Sequence, residues 1–164
     1  LLFGSLLVDY AKKHQEIEMW CLLQPTSPLR TADDIKLAYK EAKKQKWDCL
    51  VSVTPDPLLG WYKDATSMGH ISLYHPNKRP NRQTRLNKWF RENGAIYFTK
   101  TYTLFYSQCR IAGDIALYVM PKERSFEIDD EIDWRICEML MWDETSPWKA
   151  RGDMIERLAK GIEA

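Results

Sequence analysis

Apolar residues fall along this chain in two rhythms, and the switch between them marks out its elements. Leu2, Leu6, Leu7 and Tyr10 recur at helical spacing and predict a helix over residues 2–15. Residues 18–24 are short and almost continuously apolar, the pattern of a strand covered on both faces. Thr31 reads as a helix N-cap, with Asp33 and Asp34 at the positive end of the dipole. Ile35, Leu37, Ala38, Tyr39 and Ala42 then mark one face of a helix running to about Gln45. Residues 48–53 form a second apolar strand, ended by Pro55 and Pro57. Further strands are predicted at 71–75, 94–99 and 115–120. Helices are predicted at 101–109, 131–141 and after Pro147. Strands alternating with helices make this an α/β chain.

The strand–helix–strand unit draws attention to one corner. Gln24 ends the first strand, and Pro25-Thr26-Ser27-Pro28-Leu29-Arg30 leads into the helix. In open α/β sheets ligands gather beyond the carboxyl ends of the strands. Both this corner and the Thr54-Pro55-Asp56-Pro57 turn fall there.

Composition narrows the possibilities. The 164 residues suit one domain with a sizeable core. A net charge of +1 removes the electrostatic case for a dedicated nucleic-acid binder. No run is apolar enough to span a bilayer. Cys21, Cys49, Cys109 and Cys137 lack zinc or disulfide spacing, and a reducing cytoplasmic setting is expected. Residues 58–92 are rich in basic and aromatic side chains. The run 77–94 carries Lys78, Arg79, Arg82, Arg85, Lys88 and Arg91, either as a solvated basic loop or as an anion site or intersubunit arm. Trp61, Tyr62, Tyr74, Trp89 and Phe90 are more than a monomer readily buries, so a homodimer is expected.

A second informative stretch is RSFEIDDEIDW, residues 124–134. In an extended chain Phe126 and Ile128 enter the core while Glu127 and Asp129 share the other face. Two adjacent carboxylates repel unless a cation or donor lies between them, and magnesium accepts one or two carboxylates plus phosphate oxygens. Acids at a helix start also simply complement its dipole, which is the reading for Asp130, Glu131 and Asp133. Spacing alone leaves both readings open for Glu127 and Asp129. His14, His70 and His75 have no ligand spacing.

The stretches LLQPTSPLRTADDI, VSVTP, NRQ, FRENGAIYF and LYVMPKERSFEIDDEIDW together resemble the acylneuraminate cytidylyltransferase family over about residues 18–140. The resemblance implies a Rossmann-like α/β sheet of the nucleotide-diphospho-sugar transferase type. It also implies a dimerisation arm at 58–92, within a partial domain of residues 1–146. Residues 147–164 would be a helical extension outside the family pattern. The implied reaction uses CTP and magnesium to activate a nine-carbon keto-sugar acid, with release of pyrophosphate. Gln24 would face the sugar. Arg82 and Tyr97 would approach the sugar acid in the partner subunit's site, and Arg91 and Asn93 would shape the arm. Asp129 and Glu127 would be the magnesium pair. The family more often has Asp at both positions, so Glu127 is a departure that carries its carboxylate further out, and Asp129 is the firmer ligand.

Two further departures shape the expectation. Cys109-Arg110-Ile111-Ala112 stands where the family often has aromatic residues lining the sugar pocket, so a different sugar acid is expected. The family's opening strand and glycine- and lysine-containing triphosphate loop have no counterpart, and the chain begins Leu1-Leu2-Phe3 within a helical pattern. It therefore reads as N-terminally truncated and, by itself, inactive. The alternative reading is a non-catalytic dimeric α/β domain that keeps only the sugar-facing half.

Overall fold

A computed structural model describes residues 9–10, 12–14, 16–44, 46–56, 59–63, 70–81 and 89–142. Its centre is a four-stranded mixed sheet. The strands are β1 (Met19–Leu22), β2 (Cys49–Pro55), β5 (Phe90–Lys100) and β6 (Ile115–Val119), in the order β1-β5-β2-β6. A separate ribbon pairs β3 (Trp61–Lys63) with β4 (His70–Ser72). The helices are α1 (Ala32–Ala42), α2 (Thr101–Ser107) and α3 (Glu131–Trp142).

β1 and β2 run the same way, as the strand–helix–strand pattern predicts, yet they do not touch. β5 lies between them and is antiparallel to both. β2 and β6 are the parallel pair. The reason is burial. β5 is buried continuously from Asn93 to Thr99 and β2 from Cys49 to Thr54, so these two strands take the centre. β1 is only half-buried, with Cys21 exposed, and does not fit the fully covered strand that its apolar run suggests.

α1 starts where its sequence says it should. The Thr31 hydroxyl accepts from the Asp34 backbone, and the Asp34 carboxylate accepts from the Thr31 backbone, a capping box. Such a cap contributes about 1 kcal/mol. Ala38 and Ala42 then lie against Leu50, Ile96, Phe98, Ala116 and Met120. Leu37 is exposed, and Tyr39 is largely exposed with its ring centroid 5.7 Å from that of Phe98, at the edge of this face. Buried Asp34 is held by Arg124, at 2.8 Å, and by the Tyr118 hydroxyl, at 3.2 Å. Burial raises its pKa, but these bonds and those from Thr31 outweigh that and hold it below the usual carboxylate value.

The opposite face carries Val51, Val53 and Tyr97, packed by Leu22 and Ile111. A third cluster joins Leu29 to Cys137, with Phe126, Ile128, Leu140 and Met141 around them. This cluster docks α3 and the acidic stretch onto the proline corner. Trp61, Tyr62, Trp89 and Phe90 are exposed, as the aromatic content of 58–92 led us to expect. Residues 9–10 and 12–13 are helical, within the helix predicted for 2–15. The remainder of that helix, the helix after Pro147, and Arg82 and Arg85 of the basic run lie outside the described residues. No helix among the described residues is long and apolar enough to cross a membrane.

Candidate functional site

The proline corner is held from inside. The Arg30 guanidinium donates to the carbonyls of Gln24, at 2.5 Å, and Ser27, at 2.8 Å, closing the turn. Buried Ser27 donates its hydroxyl to the Asn93 carbonyl at 3.1 Å. The Ile128 amide donates to the Thr26 carbonyl at 2.8 Å. One side of the corner is thus tied to β5 and the other to the acidic stretch. These bonds fix three chain segments at one point.

β5 is irregular at this point. Tyr97 stands opposite Val51, and Glu92 opposite Val53, so residues 93–96 face only Ser52. Asn93 fills the bulge and is fully buried. Its carbonyl Oδ1 accepts from the Ser52 hydroxyl at 2.7 Å and from the Ala95 amide, and its Nδ2 donates to the Ser125 hydroxyl at 2.9 Å. Ser52 in turn accepts from the Ile96 amide at 2.7 Å. Side chains here replace the strand partners that the bulge removes.

Beside Asn93, Gly94 adopts a left-handed φ of 63°. A Cβ there would lie 2.3 Å from the Glu127 carboxylate and 2.6 Å from the Gln24 side-chain oxygen. Only glycine lets these two groups converge over the backbone. The Thr26 hydroxyl lies 3.5 Å from the same carboxylate. The structure therefore brings together Gln24 and Glu127, which the sequence singled out separately.

Tyr97 lies next to them on the same sheet. Its ring is buried against Val51, Val53 and Leu22, and its hydroxyl donates to Glu92 at 3.2 Å. Burial, then the neighbouring Glu92 charge, push its pKa up, so the phenol keeps its proton. The Arg110 guanidinium lies 4.6 Å from the ring centroid. Sequence reasoning missed Glu92 as a neighbour of Tyr97. An odd separation of five residues normally points side chains to opposite faces, and only the bulge brings them together.

Asp129 is exposed, and its amide donates to the Asp133 carboxylate at 3.1 Å. Asp130 accepts from the amides of Ile132 and Asp133, capping α3. Dipole complementation therefore accounts for Asp130 and Asp133. Arg91 pairs with Asp56 at 3.2 Å, and Asn93 is committed to the sheet interior of its own chain. Glu127, Thr26 and Gln24 converge and can offer oxygen atoms to a cation, the chemistry suited to magnesium, while the only bond described for Asp129 is that to Asp133. Among the described residues no three His, Cys, Asp or Glu side chains cluster for a metal, so an ion here needs oxygen atoms from a ligand.

No protein-family profile matches the chain. It is 29% identical over 133 residues to an N-acylneuraminate cytidylyltransferase A of Danio rerio, a match spanning 79% of this chain and 30% of that protein. It is 28% identical over 129 residues to the Escherichia coli N-acylneuraminate cytidylyltransferase, across 76% of this chain and 30% of the relative. A CMP-N,N'-diacetyllegionaminic acid synthase of Legionella pneumophila is 28% identical over 145 residues, 82% of this chain and 60% of the relative. The chain thus spans about a third of the cytidylyltransferases it matches. Its sequence is similar to those of N-acylneuraminate cytidylyltransferases over roughly four-fifths of its own length.

Proposed function

We propose that this chain is the sugar-acid-facing part of a cytidylyltransferase. The complete enzyme joins CMP from CTP to a nine-carbon keto-sugar acid and releases pyrophosphate. The observation that carries this reading is the convergence of Gln24 and Glu127 over Gly94, at the carboxyl end of β1. In that reaction the sugar's anomeric hydroxyl attacks the α-phosphorus and loses its proton, and pyrophosphate leaves. Gln24 orients the sugar through its side-chain amide. Tyr97 supports the sugar acid, with Arg82 as a further contact. Asp129 and Glu127 would hold magnesium, which would supply charge neutralisation at the phosphates. The protein's own share is mostly positioning, which explains why the corner is so heavily cross-tied. Exposed aromatic residues of the 58–92 segment support a homodimer built on that arm. A cytoplasmic setting suits the reaction's nucleotide substrate and the free thiols of all four cysteines.

The test is a chimera in which residues 18–140 replace the matching segment of the Danio rerio relative. Pyrophosphate release is measured with CTP, magnesium and a panel including N-acetylneuraminate and N,N'-diacetyllegionaminate. Turnover with one of these acids is expected. A folded chimera that binds neither CTP nor any acid would favour the non-catalytic domain instead.

A further inference from the structure

We infer that Arg110 is the residue that reads the negative charge of the sugar acid, a deepening that rests on the function proposed above. The guanidinium carbon lies over the Tyr97 ring at 4.6 Å from its centroid, and a guanidinium placed against an aromatic face can still present its N–H fork to a planar anion. The side chain is exposed, and among the described residues no carboxylate lies within ion-pair distance of it.

Its backbone is nevertheless fixed. The Arg110 carbonyl accepts from the Thr99 hydroxyl at 2.6 Å. Ile111 packs on Val51, Val53 and Tyr97. The Cys49 thiol donates to the Ala112 carbonyl at 3.3 Å. The base of the side chain is thus held in place beside Tyr97. Glu92 bonds the Tyr97 hydroxyl, and Glu127 stands at Gly94 on the same sheet. Two carboxylates near Tyr97 repel an anionic ligand, and Arg110 is the cation placed against the same tyrosine. An arginine can hold a carboxylate through two parallel bonds, which a neutral ester cannot receive in the same way.

The experiment compares N-acetylneuraminate with its methyl ester, titrated calorimetrically into the full 164-residue chain. The wild type is expected to prefer the acid by roughly 10-fold. Arg110→Gln is expected to remove that preference while changing ester affinity by less than about 2-fold, and Arg110→Lys to keep only part of it. Circular dichroism checks that both variants fold. Binding of the acid with an undiminished preference in Arg110→Gln would overturn this inference and leave the proposed function standing. No binding of acid or ester to the wild type would count against both.

Discussion

Gly94 and Gly113 are the same device put to different use. Both have left-handed φ angles, 63° and 71°, and at each a Cβ would strike a carboxylate at 2.3 Å, Glu127 in one case and Asp48 in the other. At Gly113 the carboxylate is fully spent. Asp48 accepts from the Asp114 amide at 2.9 Å and from the Tyr102 hydroxyl, and it pairs with Lys100 at 3.9 Å. At Gly94 the carboxylate is nearly unspent. Among the described residues Glu127 has one long contact, from Thr26 at 3.5 Å, and a neighbouring amide oxygen that cannot donate to it. A glycine that makes room for a satisfied carboxylate belongs to the fold. A glycine that makes room for an unsatisfied one leaves chemistry open to a ligand.

Gly113→Ala should give the largest effect on stability. The alanine meets left-handed strain of about 1–2 kcal/mol. It also meets the Asp48 Cβ, close to the backbone and unable to swing aside. A total loss of about 2–4 kcal/mol is expected in urea denaturation, with ligand affinity unchanged. A loss below about 1 kcal/mol would break the contrast, because Asp48 would then not be locked in place.

Asp34→Asn extends the comparison to a third, fully spent carboxylate. Removing the charge from the Arg124 pair should cost about 2–3 kcal/mol at neutral pH, below the range for a wholly buried pair because Arg124 is partly exposed. The folded pKa of Asp34 lies below its ordinary value. Its contribution is therefore complete above the unfolded pKa, near about 3.9, and disappears as pH falls through the lower folded value. The wild type should lose stability to acid below about pH 4 more steeply than Asp34→Asn, as read by urea midpoints across that window.

Gly94→Ala should cost less, about 1–2 kcal/mol, since the atoms its Cβ meets are the far ends of Glu127 and Gln24, which can turn away. Turning them away should abolish sugar-acid binding, and calorimetry on the folded variant would show it. The smallest effect on stability is expected for Glu127→Gln, under about 0.5 kcal/mol, with magnesium-dependent turnover of the chimera falling at least about 10-fold. Unchanged turnover would make Glu127 as structural as Asp48.

The sequence revealed those parts of the site that depend on local rules. The capping box of α1 shows in Thr31 and Asp34, and the alternation of Phe126, Glu127 and Ile128 correctly sends the apolar pair inward. The helix after β5 was read to residue 109 but stops at Ser107, because Gln108 turns left-handed at φ 52°. What sequence could not show were non-local relations. β5 inserts between β1 and β2, a pairing of segments far apart in sequence that local patterns do not specify. The neighbours of Tyr97 depend on a bulge, and a bulge breaks the period-two rule by which faces are read. Arg110 attracted notice only as a departure from an aromatic pattern. Its place over Tyr97 comes from a turn whose packing is tertiary.

The buried bulge also sets a chemical clock. Asn93-Gly94 is an asparagine followed by the residue least able to shield its own backbone nitrogen, the pair most open to cyclisation and loss of ammonia. In the fold that route is closed, because both ends of the Asn93 amide are held by Ser52, Ala95 and Ser125. Each excursion into the unfolded state opens it. A chain that deamidates there returns with a carboxylate where the core needs an amide, next to the Met120 sulfur, which has no proton to donate, and Ser125, whose hydroxyl already donates to the Pro121 carbonyl. Heating should thus become irreversible in proportion to time spent unfolded rather than to peak temperature. Mass spectrometry of the peptide spanning residues 89–100 after timed incubations would record it, and Asn93 left intact in refolding-incompetent chains would exclude this cause.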